Sequence, residues 1–230
     1  MRGVGGASVL TSRVAALLET DGSLPHAYPL MRQLFSPARR DALLGGSGQG
    51  RSVAGEHDPY VVLLERAVAA HPDASSMTLV SYAESRTYMH DVLLRDTDQM
   101  SMAHGLEVRV PLLDHRLAEY VMGLPEAAKA PNSTPKRLLL DALASELPVS
   151  VRRPKRGFVL PLDPWMRNEL RQFCEHHLGS DGLSRRSGLD AHAVQSVWQS
   201  FVSNDGTVSW SRPWALIALD AWLETTGVTA

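Results

Sequence analysis

Alternating apolar and polar residues, the pattern typical of β-strands, are almost absent from this chain, and that scarcity limits the folds it can adopt. Apolar residues instead recur at intervals of three and four, which places them on one face of an α-helix. Only Val108–Leu113 has an extended pattern, and Pro111 restricts it to an edge strand or a connector. The sequence therefore predicts a mainly α fold. The predicted helices are Val14–Glu19, Pro29–Leu34, Pro37–Leu44, Val61–Ala70, Ser81–Ala103, Asp114–Met122, Pro135–Leu147, Asp163–Leu178, Leu189–Val202 and Pro213–Leu223.

A glycine-rich stretch from Gly45 to Gly55 separates the early helices from the rest and predicts a flexible linker. It lacks the Gly-Lys-Ser/Thr ending of a phosphate-binding loop, and no strand precedes it, so the linker interpretation is favoured. We therefore divide the chain into an N-terminal helical segment with its linker, residues 1–50, and a helical domain, residues 51–230.

Charge and composition exclude several classes of protein. A formal net charge of -2 argues against a general nucleic-acid binder, which is usually strongly basic. No stretch reaches the roughly 18 apolar residues of a membrane span, and no secretory signal is recognisable at the start. The one cysteine, Cys174, cannot form an internal disulfide, and this fits a reducing cytoplasm, where we expect the protein.

The first charged block lies at the end of the longest predicted helix and just beyond it. Asp96 and its neighbours alternate with methionines expected to be buried, and Gly105 marks the end of the helix. Glu107 and Arg109 follow on one side of the extended segment, with apolar residues on the other. The two could pair with each other, or they could orient a ligand or a catalytic lysine. A solvated charged face is the simpler alternative.

A second block places four cations within five positions, interrupted only by Pro154: Arg152, Arg153, Lys155 and Arg156. Arginine offers a planar fork to phosphate oxygens and lysine a mobile point charge, so a polyphosphate would relieve their repulsion. A basic surface loop explains the same residues equally well.

Two clusters further along the chain favour structural roles. Cys174, His176 and His177 are too close in sequence to form a metal site alone, so a helix end near solvent is expected there and no metal site is predicted. Trp210, Trp214 and Trp222 are spaced as core residues of a helix rather than as a cofactor site.

Five stretches, in their order and spacing, resemble the synthetase domain of glutamine-dependent asparagine synthetases. They are Leu94–Arg116, Lys136–Leu140, Leu147-Pro148, Arg153–Phe158 and Pro161–Arg167. The resemblance implies the helical C-terminal portion of an α/β domain of the adenine-nucleotide α-hydrolase-like (ATP pyrophosphatase) type. It also implies an amide-forming ligase, in which ATP adenylates the side chain of aspartate and ammonia from glutamine displaces AMP to give asparagine.

The resemblance also implies roles for particular residues. Lys155 matches the lysine thought to contact the phosphates and the developing charge, and Arg156 fits a supporting position. Glu107, Arg109 and Asp96 match positions around the same pocket. ATP and Mg²⁺ are the implied cofactors, with the main ligands expected upstream of this chain. Aspartate or a related carboxylate, ATP and ammonia are the expected small-molecule partners; neither nucleic acid nor membrane is expected, and a homodimer is left open.

The family's Ser-Gly-Gly-x-Asp-Ser pyrophosphate loop, its nucleotide-binding half and its glutaminase domain have no counterpart in these residues. We therefore expect a truncated domain that is inactive alone. Two alternatives remain open. The chain could be a non-catalytic helical remnant or interaction module, or it could belong to a related amidotransferase or cyclase that acts on another carboxylate.

Overall fold

The computed structural model describes residues 14–46, 58–129, 136–146, 160–179 and 182–228. Every regular element within these ranges is a helix and none is a strand, which confirms the mainly α prediction. The chain forms two compact units. The terminal unit contains residues 1–58 and 159–230, and the central unit contains residues 59–158. The predicted boundary between residues 50 and 51 lies outside the described residues and stays a prediction.

The α-helices follow the chain in this order: α1 (Leu24–Arg32), α2 (Pro37–Leu43), α3 (Pro59–Ala70), α4 (Ser76–Arg86), α5 (Arg95–Met102), α6 (His115–Gly123), α7 (Glu126–Lys129), α8 (Arg137–Ala142), α9 (Leu162–Arg167), α10 (Arg171–Leu178), α11 (Leu183–Ser187), α12 (Ala191–Val202) and α13 (Ser211–Thr226). Residues 14–18 form a further helical turn, Tyr88–Leu94 form a π-helix, and Pro111–Leu113 form a 3-10 turn.

The core of the terminal unit lies where α10, α11 and α12 pack on α13. Helix α12 begins at the cap of Asp190, whose carboxylate accepts the Ala193 N–H at 2.7 Å. Its buried residues are Val194, Val197, Trp198 and Phe201, the i, i+3, i+4, i+7 spacing of a helix with one core-facing stripe. Burying a side chain of this size contributes about 1.5 to 3 kcal/mol, so this stripe holds α12 in the core.

Of the three tryptophans predicted in the core, two pack against it. Trp210 and Trp214 are partly buried beside the core cluster, while Trp222 is 54% exposed. The prediction therefore holds for the first two and is wrong for Trp222, which lies on the outer face of α13.

The central unit has a much smaller core. Its buried apolar side chains are Val61 and Leu64 of α3 with Leu79 and Ala83 of α4. From residue 88 to residue 129 no side chain is buried, and the same holds for residues 136–146. The first charged block therefore lies in a stretch of helices that has no buried residue of its own.

The longest predicted helix, Ser81–Ala103, is interrupted in the structure. Helix α4 begins earlier, at Ser76, and ends at Arg86, and Thr87 leaves the helical conformation with φ -118° and ψ -88°. The Thr87 hydroxyl donates to the Ala83 carbonyl at 2.7 Å, the type of side-chain bond that competes with regular helix pairing. The chain then continues as the π-helix and α5, and α5 is followed by Gly105 at φ +66°, as the predicted stop requires.

The predicted helix Asp163–Leu178 is also wrong in its continuity, because it divides into α9 and α10. The Asn168 side chain donates to the Pro164 carbonyl at 2.8 Å, and the Leu170 N–H reaches back to the Trp165 carbonyl at 2.7 Å. At the junction of α9 and α10, these two hydrogen bonds replace the backbone hydrogen bonds that a continuous helix would make there.

Helix ends differ from the predictions elsewhere. Helix α1 begins five residues before Pro29 and contains that proline, and α8 is shorter than the predicted Pro135–Leu147. The extended segment Val108–Leu113 forms no strand and ends in the 3-10 turn. None of the helices in the described part is both long and apolar enough to cross a bilayer.

Candidate functional site

The segment between α5 and α6 presents an ion pair to solvent. After helix α5, the Leu106 N–H donates a hydrogen bond to the Ser101 carbonyl at 3.0 Å. Beyond this turn the chain is extended. Arg109 Nη2 lies 2.8 Å from Glu107 Oε1, so of the alternatives left open for these side chains, pairing with each other is present. Both are largely exposed, 82% and 71% respectively. A pair so exposed contributes about 0 to 1 kcal/mol to stability, so the fold does not require these two charges.

Asp114 fixes the point at which the extended segment becomes α6. Its carboxylate accepts the backbone N–H of Arg116 at 2.9 Å and the side-chain Nη2 of the same residue at 2.7 Å. This confirms the predicted cap. The bonds from Arg116 hold the pKa of Asp114 below its ordinary value, so the cap stays charged at neutral pH.

The remaining predicted site residues are not brought to this pair by the described structure. Asp96 lies exposed in the first turn of α5 and makes no ion pair with another described residue. Lys155 and Arg156 lie outside the described residues, as does the whole second charged block. The proposed meeting of Glu107, Arg109 and Asp96 with Lys155 therefore stays a prediction.

An exposed apolar surface accompanies the ion pair. Between residues 88 and 120, many large apolar side chains are between 37% and 67% exposed. We refer to them together as the 88–120 surface. Its members are Tyr88, Val92, Leu93, Met100, Met102, Leu106, Val108, Val110, Leu112, Leu113, Leu117 and Tyr120. The expectation that the methionines of α5 are buried is wrong for the described structure, because neither Met100 nor Met102 reaches the small core of the central unit. Exposed apolar residues in such number are typical of a surface that contacts another part of a protein.

The terminal unit contains a buried polar cluster that was not predicted from the sequence. Asp220 of α13 is fully buried, and its carboxylate is 2.7 Å from His177 Nδ1 and 2.7 Å from Arg186 Nε. A second Arg186 nitrogen also donates to it. Burial acts to raise the pKa of Asp220, but the bonds from Arg186 and His177 outweigh it and lower the pKa overall.

The prediction of a helix end near solvent holds for His176, which is exposed, but is wrong for Cys174 and His177, whose side chains are buried in α10. Burial raises the pKa of the Cys174 thiol to about 11, which makes it a poor nucleophile. The one signal available in the sequence was Asp220 itself, which takes a position in the apolar stripe of α13 beside Leu216, Ile217 and Leu223.

No metal centre forms among the residues that the structure describes. None of their histidine, cysteine, aspartate and glutamate side chains gather in groups of three or more that could hold an ion. The described carboxylates therefore do not fit a magnesium site, and we derive no step through the metal. The polyphosphate chemistry suggested by the second charged block belongs to residues outside the described ranges.

Comparison with known proteins gives a consistent result. A family model described as asparagine synthase matches residues 10–224. The chain is 34% identical over 103 residues to the glutamine-hydrolyzing asparagine synthetase 1 of Bacillus subtilis, covering 44% of this chain and 16% of that protein. It is 36% identical over 96 residues to a putative glutamine-hydrolyzing asparagine synthetase of Mycobacterium bovis, covering 41% and 15%.

A mammalian relative matches to a similar extent. The glutamine-hydrolyzing asparagine synthetase of Mus musculus is 34% identical over 108 residues, covering 44% of this chain and 19% of the relative. Each alignment thus spans less than a fifth of the relative's length. No solved structure matches the chain significantly.

Proposed function

The chain belongs to the asparagine synthase family, and we propose that it forms the helical C-terminal part of an ATP-dependent, amide-forming synthetase domain. The match over residues 10–224 carries the proposal, because it takes in both charged blocks. The names of the relatives, glutamine-hydrolyzing asparagine synthetases, favour aspartate as the carboxylate and glutamine as the source of ammonia. A related amidotransferase or cyclase acting on another carboxylate is the alternative within the same chemistry.

The 88–120 surface supports a partial domain. Its apolar side chains flank the Glu107–Arg109 pair, and no side chain between residues 88 and 129 is buried. Apolar area removed from water contributes about 25 cal/mol per Å², so covering these side chains would stabilise an assembled domain. In the α/β domain proposed here, the nucleotide-binding half provides that cover, and the ion pair then lies at the junction of the two parts.

The proposed roles follow from charge and position. ATP, when bound, supplies the activated leaving group for the carboxylate. Lys155 is the proposed catalytic residue. Its mobile cation is directed at the phosphates and at the negative charge that develops as the carboxylate attacks the phosphate. Arg156 supports Lys155 in this role. Glu107 and Arg109 orient that lysine and the substrate, and Asp96 extends the same polar face. We place no magnesium ligand among the described residues.

Activity in a completed domain tests the proposal. The 230-residue chain would replace the corresponding C-terminal part of the Bacillus subtilis relative, and pyrophosphate release would be measured with aspartate, ATP and ammonia. We expect activity from the hybrid and none from the chain alone. Lys155→Met should lower kcat by about a hundredfold or more, the usual loss when a group aimed at developing charge is removed. Arg185→Met, which removes an exposed cation from α11 outside the synthetase-like stretches, is the matched control and should retain activity.

The ion pair provides a second test in the same hybrid. Glu107→Gln should lower kcat/KM while the stability of the domain changes by less than about 1 kcal/mol, because the pair is exposed in the chain. Full activity in both Lys155→Met and Glu107→Gln would contradict the assigned roles.

A non-catalytic helical module that contacts another protein is the second candidate, and the exposed apolar side chains of the 88–120 surface favour it. An inactive hybrid that folds and binds neither ATP nor aspartate in calorimetry would support this candidate and count against the ligase.

A further inference from the structure

A groove in the central unit places positive charge beside an apolar wall. The groove has a volume of about 860 Å³ and lies between the second half of α3, the turn after it, α4 and the end of α6. This volume falls within the roughly 300 to 1,000 Å³ of pockets that bind small molecules. The groove is therefore large enough for a small organic ligand.

Small and apolar side chains form its walls. Ala67 and Ala70 of α3 leave space that a larger residue would fill, and Leu79 and Met122 add apolar surface opposite. Leu79 is only 8% exposed, so it also anchors α4 to the core of the central unit. A wall of this kind favours the apolar part of a ligand.

Lys129 is not itself a lining residue, but its ammonium group is hydrogen-bonded to two residues that are. Its Nζ donates to the Met122 carbonyl at 2.9 Å and to the Thr78 hydroxyl at 3.2 Å. Met122 and Thr78 both line the groove. Both acceptors are neutral, and an ammonium has three donors, so one N–H is left over. No carboxylate in the described part of the chain lies within ion-pair distance of this partly buried charge.

The lining adds further positive charge. Arg66 and His71 lie on the same groove, and neither makes an ion pair with a described residue. Asp73 is the one carboxylate among the lining residues. The two cations Arg66 and Lys129 therefore outnumber the one carboxylate at the groove.

Helix capping explains only part of this arrangement. The Met122 carbonyl belongs to the last turn of α6, where a cation is favourable, and Lys129 satisfies it. Capping alone needs no apolar groove and no second cation at Arg66. A partly buried ammonium without a counter-ion is also costly, and an anion in the groove would remove that cost.

We propose that this groove binds a small carboxylic acid with a short apolar chain. The carboxylate takes the free N–H of Lys129 and the guanidinium of Arg66 through charge-assisted hydrogen bonds. The chain of the ligand lies along the alanines of α3 and against Leu79 and Met122. The Thr78 hydroxyl, already bonded to Lys129, holds the ammonium in position.

Titration of the 230-residue chain with hexanoate, followed by NMR or calorimetry, tests the proposal. We expect saturable binding of one hexanoate per chain. Hexanamide, of the same shape but uncharged, and acetate, which lacks the apolar chain, should each bind at least about tenfold more weakly. Equal binding of hexanoate and hexanamide, or no saturable binding of hexanoate, would overturn the proposal.

Variants assign the binding to the groove. Lys129→Met should weaken hexanoate binding about tenfold, and Lys136→Met, which replaces an exposed lysine just before α8 that does not line the groove, should leave it unchanged. Ala70→Leu should block binding by filling the groove. If Lys129→Met does not fold, Arg66→Gln on the exposed face of α3 makes the same comparison. Equal losses in Lys129→Met and Lys136→Met would show non-specific attraction and refute the site.

Discussion

Arg186 holds the fully buried carboxylate of Asp220 through its Nε, 2.7 Å from Oδ1, and through a second nitrogen of the same guanidinium. His177 Nδ1 donates to the other carboxylate oxygen at 2.7 Å. The cluster thereby joins α10, α11 and α13 in the terminal unit. A charge without water around it depends entirely on these partners, so the cluster makes the terminal unit sensitive to single substitutions.

Asp220→Ala should lower the free energy of unfolding of the terminal unit by about 3 to 5 kcal/mol, because Arg186 and His177 lose their shared partner inside the core. All five tryptophans lie between residues 165 and 222, so their fluorescence during urea unfolding reports on this unit alone. Glu175→Ala removes an exposed pair with Arg171 on α10 and is the matched control, expected to cost about 0 to 1 kcal/mol. Equal losses of unfolding free energy in the two variants would show that the buried cluster stabilises the unit no more than an exposed ion pair.

Acid should remove the contribution of Asp220 in a defined pH window. The pKa of this group is lower in the folded chain than its ordinary value of 3.8. Its stabilisation is therefore complete above pH 3.8 and is lost as the pH falls below that value and through the folded pKa. The stability difference between the wild type and Asp220→Asn should be constant near neutral pH and shrink only below 3.8. Urea titrations of both proteins across this range measure this difference, and a difference that already shrinks well above pH 3.8 would contradict the lowered pKa of Asp220.

Much of the fold was accessible from the sequence because local rules decide it. The Asp114 cap, the Gly105 stop and the apolar stripe of α12 each depend on residues within a few positions of one another. Thr87 shows where such rules fail. The helix ends there beside a hydrogen bond from its hydroxyl to the Ala83 carbonyl, and threonine can make the same bond inside helices that continue.

In the candidate site, too, features set by neighbouring residues were predictable and features set by distant contacts were not. Alternation along an extended segment, a local pattern, placed Glu107 and Arg109 on one side, and their pairing was one of the alternatives that this left open. The His177–Asp220 contact joins residues 43 positions apart, and no periodicity links them. The 88–120 surface was misjudged for a different reason: helical periodicity predicts which face is apolar but not whether a partner covers it.

Cys174 should be protected from thiol reagents in the folded chain. Raising its pKa from 9.0 to about 11 lowers the thiolate fraction about a hundredfold below that of an ordinary thiol, and burial also limits access. Because the chain has one cysteine, labelling with a chromogenic disulfide needs no correction for other sites. The reaction should be slow in buffer and fast in urea above the tryptophan transition. Rapid labelling of the folded chain would contradict the burial of this side chain.

The 88–120 surface should tolerate polar substitution in the isolated chain. Leu106, Val108 and Leu112 are 61%, 50% and 59% exposed, so replacing each by glutamine should change the free energy of unfolding by less than about 0.5 kcal/mol per site. The triple variant should bind less of a dye that reports exposed apolar surface.

Leu64→Ala is the matched control, since Leu64 is completely buried and its truncation should cost about 2 to 5 kcal/mol. The central unit contains no tryptophan, so hydrogen exchange of peptides from residues 59–129 should be measured. Unfolding of this unit by the triple variant would show that these side chains are already covered in the free chain.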